Sequence, residues 1–452
     1  MAEPLILLIN PWIYDFAAYD LWVKPLGLLY IAALLKKNGF GVHLIDCLDP
    51  YNPKMEKMCR DGKLSRDETG RGHFYRERVV KPEIFKRIIK RHYKRHGITP
   101  ALFEQELSSI PKPEVILVTS MMTYWYPGVF EVIRLAKFCY PEVPVILGGV
   151  YATLCNNHAN NFSKADIVIS GPGEFVAIHT IQKLTGKEIN FLPDLADPDD
   201  LPYPSYELLS SRKALPILTA RGCPFKCTYC ASSQLNPQFI RRNPSRVADE
   251  IEYFVNKEGT TDFAFYDDAF LFEPEEHAVP ILKEIIRRKL NVRFHFPNGL
   301  HIRYITQEVA EIMKEAGCKT VRLGLETAEP GSQLSTGGKV FTEEFIRASD
   351  ALKKAGFTDK EVGVYILAGL PGQEAKEVNN TIQLVKKHGL KPLIAEYSPI
   401  PGTALWEKAV ALSPYPIAEE PLFHNNTLLP CQCEKFTLND LEIVKKTARS
   451  YS

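Results

Sequence analysis

The chain has 452 residues, enough for two or three domains. Apolar residues make up 45%, charged residues 24%, and the formal net charge is +1. That balance fits an ordinary globular protein and leaves no general nucleic-acid footprint and no charge basis for an anionic membrane partner. No apolar run approaches the length of a membrane span. Met1-Ala2-Glu3-Pro4 leads straight into an apolar segment, without the basic start and cleavage site of a secretory signal, so a cytoplasmic location is expected. Ten Cys in such a chain are expected as reduced thiols rather than a disulfide framework.

In chain order, Leu5 to Pro11 reads as a buried strand. Leu26 to Lys37 has helical periodicity and stops at Asn38-Gly39. Val42 to Asp46, Val115 to Ser120, Val145 to Leu147 and Asp166 to Ser170 read as further strands, with a helix across Val129 to Phe138. Alternating strands and helices predict a doubly wound, Rossmann-like parallel sheet over residues 1–190, with ligands at the strand C-termini. Residues 50–112 interrupt the pattern. They are rich in Lys, Arg and His, show little strand character, and are expected to hold one or two helices, for example Pro82 to Arg95. This insertion reads as a solvated charged face, or as a lid over a substrate.

Residues 191–213 are Pro- and Asp-rich and read as a linker. From 214 a second series begins, with strands at Leu215–Thr219, Asp262–Tyr266, Val292–Phe296, Thr320–Leu325, Val362–Leu367 and Pro392–Tyr397. The intervening helices include Pro244 to Lys257, Thr306 to Ala316, Thr342 to Ala355 and Glu374 to His388. Gly259, Gly317, Gly356 and Gly389 are their C-terminal stops. Six strand–helix units over 214–410 predict a partial (β/α)6 barrel, open on one side, with its site at the strand C-termini. Residues 411–452 form a C-terminal extension.

Directly after the first barrel strand comes Cys223-Pro224-Phe225-Lys226-Cys227-Thr228-Tyr229-Cys230, a C-x3-C-x2-C run. Three thiolates this close can converge on one metal centre. Iron–sulfur clusters and structural zinc sites are mostly closed by four protein ligands, so three leave one position open. A zinc knuckle with a distant fourth ligand, or three unrelated core thiols, are the other readings of the spacing. Cys47, Cys139, Cys155 and Cys318 read as buried thiols and Cys59 as one more scattered thiol; Cys431-Gln432-Cys433 reads as an extra ligand pair or redox pair.

The C-x3-C-x2-C loop resembles the signature of the radical S-adenosylmethionine (SAM) superfamily. The elements that follow it in order strengthen the likeness: Tyr266-Asp267-Asp268, Pro297-Asn298-Gly299, Gly324-Leu325-Glu326-Thr327, Gly369-Leu370-Pro371-Gly372 and Pro399-Ile400-Pro401-Gly402. The resemblance implies a [4Fe-4S] cluster on Cys223, Cys227 and Cys230, with SAM chelated at the open iron and cleaved to a 5′-deoxyadenosyl radical. It implies SAM contacts from Tyr229, Asp268 and Glu326, with Asp267 as either a contact or a loop cap. An external one-electron reductant of flavodoxin or ferredoxin type is the implied partner.

The first domain is similar to the cobalamin (B12)-binding domain that precedes this core in one branch of the superfamily. The matching pieces are Pro25 to Ala32, Ser120 with Thr123, Leu147-Gly148-Gly149 and Gly171-Pro172-Gly173-Glu174. The implied cobalamin contacts are Ser120, Thr123, Gly148, Gly149, Gly171, Gly173 and Glu174. There is no D-x-H-x-x-G motif, so no lower-ligand His is in place, and Gly171-Pro172-Gly173-Glu174 replaces the usual G-E-G-E. Taken together, the resemblances imply a cobalamin-dependent radical SAM methyltransferase acting on an unactivated carbon. The alternatives are a radical SAM cyclase or oxidoreductase without methyl transfer, a cobalamin-free radical SAM enzyme, and a zinc-stabilised scaffold. No substrate acid or base can be named; His295, His301 and Tyr266 read as core or loop residues.

Overall fold

A computed structural model describes residues 3–58, 64–194 and 196–450; Cys59 lies outside the described residues. The chain divides into two compact units, 1–214 and 215–452.

The first unit is built on a five-stranded sheet ordered Gly41–Asp46, Leu5–Asn10, Val115–Val118, Val145–Leu147, Ile167–Val168. All four pairings are parallel. In chain order this is 2-1-3-4-5, so the winding reverses between Leu5–Asn10 and Val115–Val118. Those two strands are unbroken apolar runs because they are central and covered on both faces. On one face Leu28, Ile31 and Leu35 of helix Leu26–Lys37 join Ala177, Ile178 and Ile181 of helix Glu174–Thr185 in a single core.

The insertion holds helices, as expected, at Pro53–Met58, Glu83–Lys86 and Pro100–Ser108, but the Pro82–Arg95 helix does not form. Only Glu83–Lys86 of the expected helix is helical, and Lys94–His96 is the middle strand of a three-stranded antiparallel sheet with Ile13–Asp15 and Arg76–Arg78. Phe85 and Tyr93 both close on Phe16, at ring distances of 5.2 Å. Lys94–His96 finds backbone partners on both sides, and these tertiary contacts override the local helical pattern.

The second unit carries a six-stranded sheet in which sequence neighbours are spatial neighbours: Ala214–Ile217, Asp262–Phe265, Arg293–His295, Cys318–Glu326, Val362–Ala368, Lys391–Glu396. The first and sixth strands are its open edges. Phe265, Phe270 and Phe296 fill its interior, with Phe265 stacked on Phe296 at 4.9 Å. Helix ends are set locally. The Asn243 side chain accepts from the Ser245 N–H at the start of Pro244–Glu258, and Gly259, Gly317, Gly356 and Gly389 all take positive φ at helix ends.

The C-terminal extension is part of this unit. Helix Leu438–Arg449 packs on helix Ala375–Lys387 and the sixth strand, with Lys445 paired to Glu396 at 2.6 Å. Ahead of it, residues 421–433 lie over the ends of the fifth and sixth strands: Ser398 donates to the His424 carbonyl at 2.7 Å, and Leu429 abuts Gly369.

Candidate active site

Cys223, the first of the three cysteines, stands six residues past the end of the first barrel strand at Ile217. On that approach Thr219 has its N–H and hydroxyl both donating to Asp267, the hydroxyl at 2.6 Å. Asp267 therefore ties the end of the second strand to the first and caps the loop. It is buried, and burial pushes its carboxyl up to about 7. His277 Nε2 meets the same Thr219 hydroxyl at 2.8 Å. Ala220–Arg221 then pairs with Ile240–Arg241, and Gly222 turns at φ +76°, where a Cβ would stand 2.4 Å from the Gln238 carbonyl. Only glycine fits there.

Within the loop, the Cys230 N–H donates to the Cys227 carbonyl at 3.1 Å and the Ser232 N–H to the Cys230 sulfur at 3.4 Å. Cys223 and Cys227 are half-buried and Cys230 is exposed. Protein crowding raises all three thiols, Cys223 to about 11. Even Cys230, open to water at one side, is closely surrounded. Cys223 Sγ lies 4.0 Å from His301 Nε2, and the His301 ring stacks on Phe225 at 4.5 Å. Burial, then Lys339 and Arg303, hold His301 well below the usual imidazole range, so it is neutral.

The expected SAM contacts surround this loop. Asp268 is exposed on one side; its Oδ2 accepts from the Ser232 hydroxyl at 2.5 Å, and the protein packed around it raises its carboxyl. Tyr229 turns its hydroxyl to the Cys227 sulfur, and burial and Glu326 raise its pKa well above the phenol range. Glu326 ends the fourth strand at a register shift and sits at φ +66°, a left-handed conformation that costs a non-glycine residue about 1–3 kcal/mol. Its partner is Lys339, at 3.4 Å. Lys339 and His301 are site residues that motif reading misses. The only local signal for Lys339 is the Gly337-Gly338 pair before it. Of the other histidine, His295, the ring is fully buried between Asp262 and Thr320, a core role.

A cluster fits this donor set. Three thiols and no fourth cysteine occupy one loop at the C-terminal end of a parallel barrel strand. Structural zinc is closed by four protein ligands, whereas three thiolates on one loop suit a cluster whose remaining iron takes another ligand.

In the first unit, a small cleft opens at the winding reversal, lined by Asn10, Trp12, Thr119, Ser120, Met121 and Trp125. This is where ligands bind in doubly wound sheets. Gly149 lies beside it at φ +95°, and a Cβ there would meet the Ser120 carbonyl at 2.4 Å. Gly148 has its nearest neighbour at 4.0 Å, and Gly171 and Gly173 have none within 4 Å, so these backbones are open to a ligand. The Ser120 hydroxyl donates to the Gly148 carbonyl at 2.6 Å and accepts from the Ala152 N–H at 3.2 Å. It therefore shapes the loop as much as it faces the cleft. Thr123 is buried in a short 3-10 turn, and Glu174 is the buried first residue of helix Glu174–Thr185.

Cys431 is buried and its thiol is raised to about 12, while Cys433 pairs through its backbone with Phe436. Among the described residues no helix is long and apolar enough to cross a membrane.

Residues 217–385 match the model of the Radical SAM superfamily. The chain is 27% identical, over 76% of its length and 77% of the relative's, to an uncharacterized methyltransferase of Pyrococcus horikoshii. It is 24% identical, over 66% of its length and 53% of the relative's, to the anaerobic magnesium-protoporphyrin IX monomethyl ester cyclase of Cereibacter sphaeroides. Among solved structures it resembles the radical S-adenosylmethionine methyltransferase TsrM from Kitasatospora setae with cobalamin and a [4Fe-4S] cluster bound. There the TM-score is 0.63 at 16% identity, covering 92% of this chain and 80% of that one. At that identity the likeness speaks for the fold alone.

Proposed function

We propose a methyl-transferring role for this chain, which belongs to the radical SAM superfamily and carries a cobalamin-binding-type domain ahead of its barrel. It is an enzyme that uses a [4Fe-4S] cluster, SAM and cobalamin to methylate an unactivated carbon. The observation that carries this reading is the three-thiol loop at the mouth of the six-stranded half-barrel, in a chain whose other unit has an open glycine cleft at its winding reversal. When bound, the cluster supplies one electron for cleaving SAM and the corrin supplies a transferable methyl group.

The chain's own residues have distinct tasks in this reading. Cys223, Cys227 and Cys230 hold iron. Asp267 braces the loop through Thr219. Tyr229, Asp268 and Glu326 contact SAM, and Asp268 is oriented for this by the Ser232 hydroxyl. Gly148, Gly149, Gly171 and Gly173 let cobalamin approach the backbone, with Ser120, Thr123 and Glu174 shaping the cleft. The electron comes from an external carrier of flavodoxin or ferredoxin type, in the cytoplasm.

The likeness to a cyclase favours a second reading, oxidation or ring closure of the substrate without methyl transfer. Product mass separates the two, since methylation adds one CH2.

The test is anaerobic purification with hydroxocobalamin and cluster reconstitution, followed by metal analysis and EPR. Wild type is compared with a Cys223→Ala, Cys227→Ala, Cys230→Ala triple variant. About four Fe and one Co per chain, with Fe alone lost in the variant, is the expected result. Iron without cobalt removes the cobalamin role, and zinc without iron removes the whole reading.

A further inference from the structure

The turn at 335–339 is built against the Cys loop. Thr228, between two of the cysteines, donates its N–H to the Thr336 carbonyl at 3.1 Å and its hydroxyl to the Ser335 carbonyl at 3.3 Å. Gly337 and Gly338 then take φ of +113° and +62°, and a Cβ on Gly337 would lie 3.1 Å from the Cys227 Cα. This close approach is possible because the turn carries two glycines. Arg303 fixes its far side by donating to the Gly338 carbonyl at 2.6 Å.

The next residue is Lys339. Its side chain is 14% exposed and its ammonium stands 3.4 Å from a Glu326 carboxylate oxygen that is itself nearly covered. Gly337, two residues before it, packs against Cys227, so the chain leaves the turn for Lys339 beside the Cys loop. Burial alone would strip a lysine of its charge. Here the Glu326 carboxylate at 3.4 Å offsets that cost. The glycine turn thus brings a cationic side chain to the Cys loop.

We infer that Lys339 is the counter-charge of the cluster loop, a positioning residue that raises the reduction potential of a cluster held there. The inference rests on the proposed iron–sulfur reading. Its physical basis is simple: a fixed positive charge stabilises the reduced, more negative cluster over the oxidised one. Glu326 opposes it, because a carboxylate at 3.4 Å partly neutralises the ammonium.

The experiment is an EPR-monitored redox titration of the reconstituted full chain without SAM, together with iron content, for wild type, Lys339→Met, Lys339→Arg and Glu326→Gln. Circular dichroism checks folding of each. Expected is a shift to more negative potential in Lys339→Met, near-wild-type behaviour in Lys339→Arg, and a shift to more positive potential in Glu326→Gln. Iron lost from Lys339→Met but kept by Lys339→Arg also meets the expectation, since charge is what the arginine restores. Unchanged potentials in both Lys339→Met and Glu326→Gln overturn the inference, as does equal iron loss from both lysine variants. If Lys339→Met misfolds, Lys339→Gln takes its place in the titration, and an unchanged potential there overturns the inference. Wild type without iron would instead sink the underlying functional reading.

Discussion

Asp267 and Thr219 are joined by three hydrogen bonds across two barrel strands, two from the Thr219 N–H to the carboxylate oxygens and one from its hydroxyl at 2.6 Å. The carboxyl that accepts them is buried and titrates near 7 rather than at 3.8. A carboxyl raised in the folded state keeps a proton that the unfolded chain releases. Its contribution is therefore fully present below about 4 and is lost as pH rises through about 7. The iron-free barrel should lose stability across that window. Asp267→Asn, which imitates the protonated acid, should flatten the slope. Denaturant midpoints at pH 4.5 and 7.5 check this; parallel slopes in the two proteins would contradict it.

The iron-free thiols should be sluggish nucleophiles. Cys223 is pushed up to about 11 by burial first and by Asp268 and its sister thiols next. A two-unit rise leaves roughly a hundredfold less thiolate at neutral pH. Iodoacetamide labelling followed by peptide mass spectrometry should show Cys223 reacting far more slowly than a free thiol at pH 7, with a rate that climbs about tenfold per pH unit. Reconstitution with iron should protect all three cysteines.

Two adjacent glycines should fail in different ways. Gly149→Ala forces a Cβ against the Ser120 carbonyl at 2.4 Å and an alanine into φ +95°. It should destabilise the first unit by about 1–3 kcal/mol, visible in thermal unfolding. Gly148→Ala meets nothing closer than 4.0 Å and should leave stability nearly unchanged while weakening hydroxocobalamin binding in a spectroscopic titration. Equal affinity of Gly148→Ala and wild type would place the ligand elsewhere.

Asp268→Ala removes a carboxylate whose geometry is set by Ser232 at 2.5 Å. SAM affinity of the iron-loaded protein, measured by equilibrium dialysis, should fall about tenfold or more, the size of one charged hydrogen bond. Ser232→Ala should produce a smaller loss in the same direction, since it disturbs the orientation and keeps the charge.

What lay in the sequence is what short stretches of chain decide by themselves. The C-x3-C-x2-C spacing puts three thiols on one loop whatever surrounds it. Gly259, Gly317, Gly356 and Gly389 end helices because left-handed backbone is cheap only without a Cβ. The apolar runs at Leu5–Asn10 and Val362–Ala368 mark strands covered on both faces. The tertiary structure decided the rest, because those energies depend on residues far apart in the chain. Phe16 draws Phe85 and Tyr93 to itself, so the expected Pro82–Arg95 helix gives way to a strand at Lys94–His96. Residues 421–433 lie over the strand ends, where Leu429 packs directly on Gly369. Lys339 becomes part of the site because the Gly337-Gly338 turn fits against Cys227 and brings its charge to Glu326; no period or spacing encodes that meeting, which arises from packing and from the electrostatics of a shared, partly dry space.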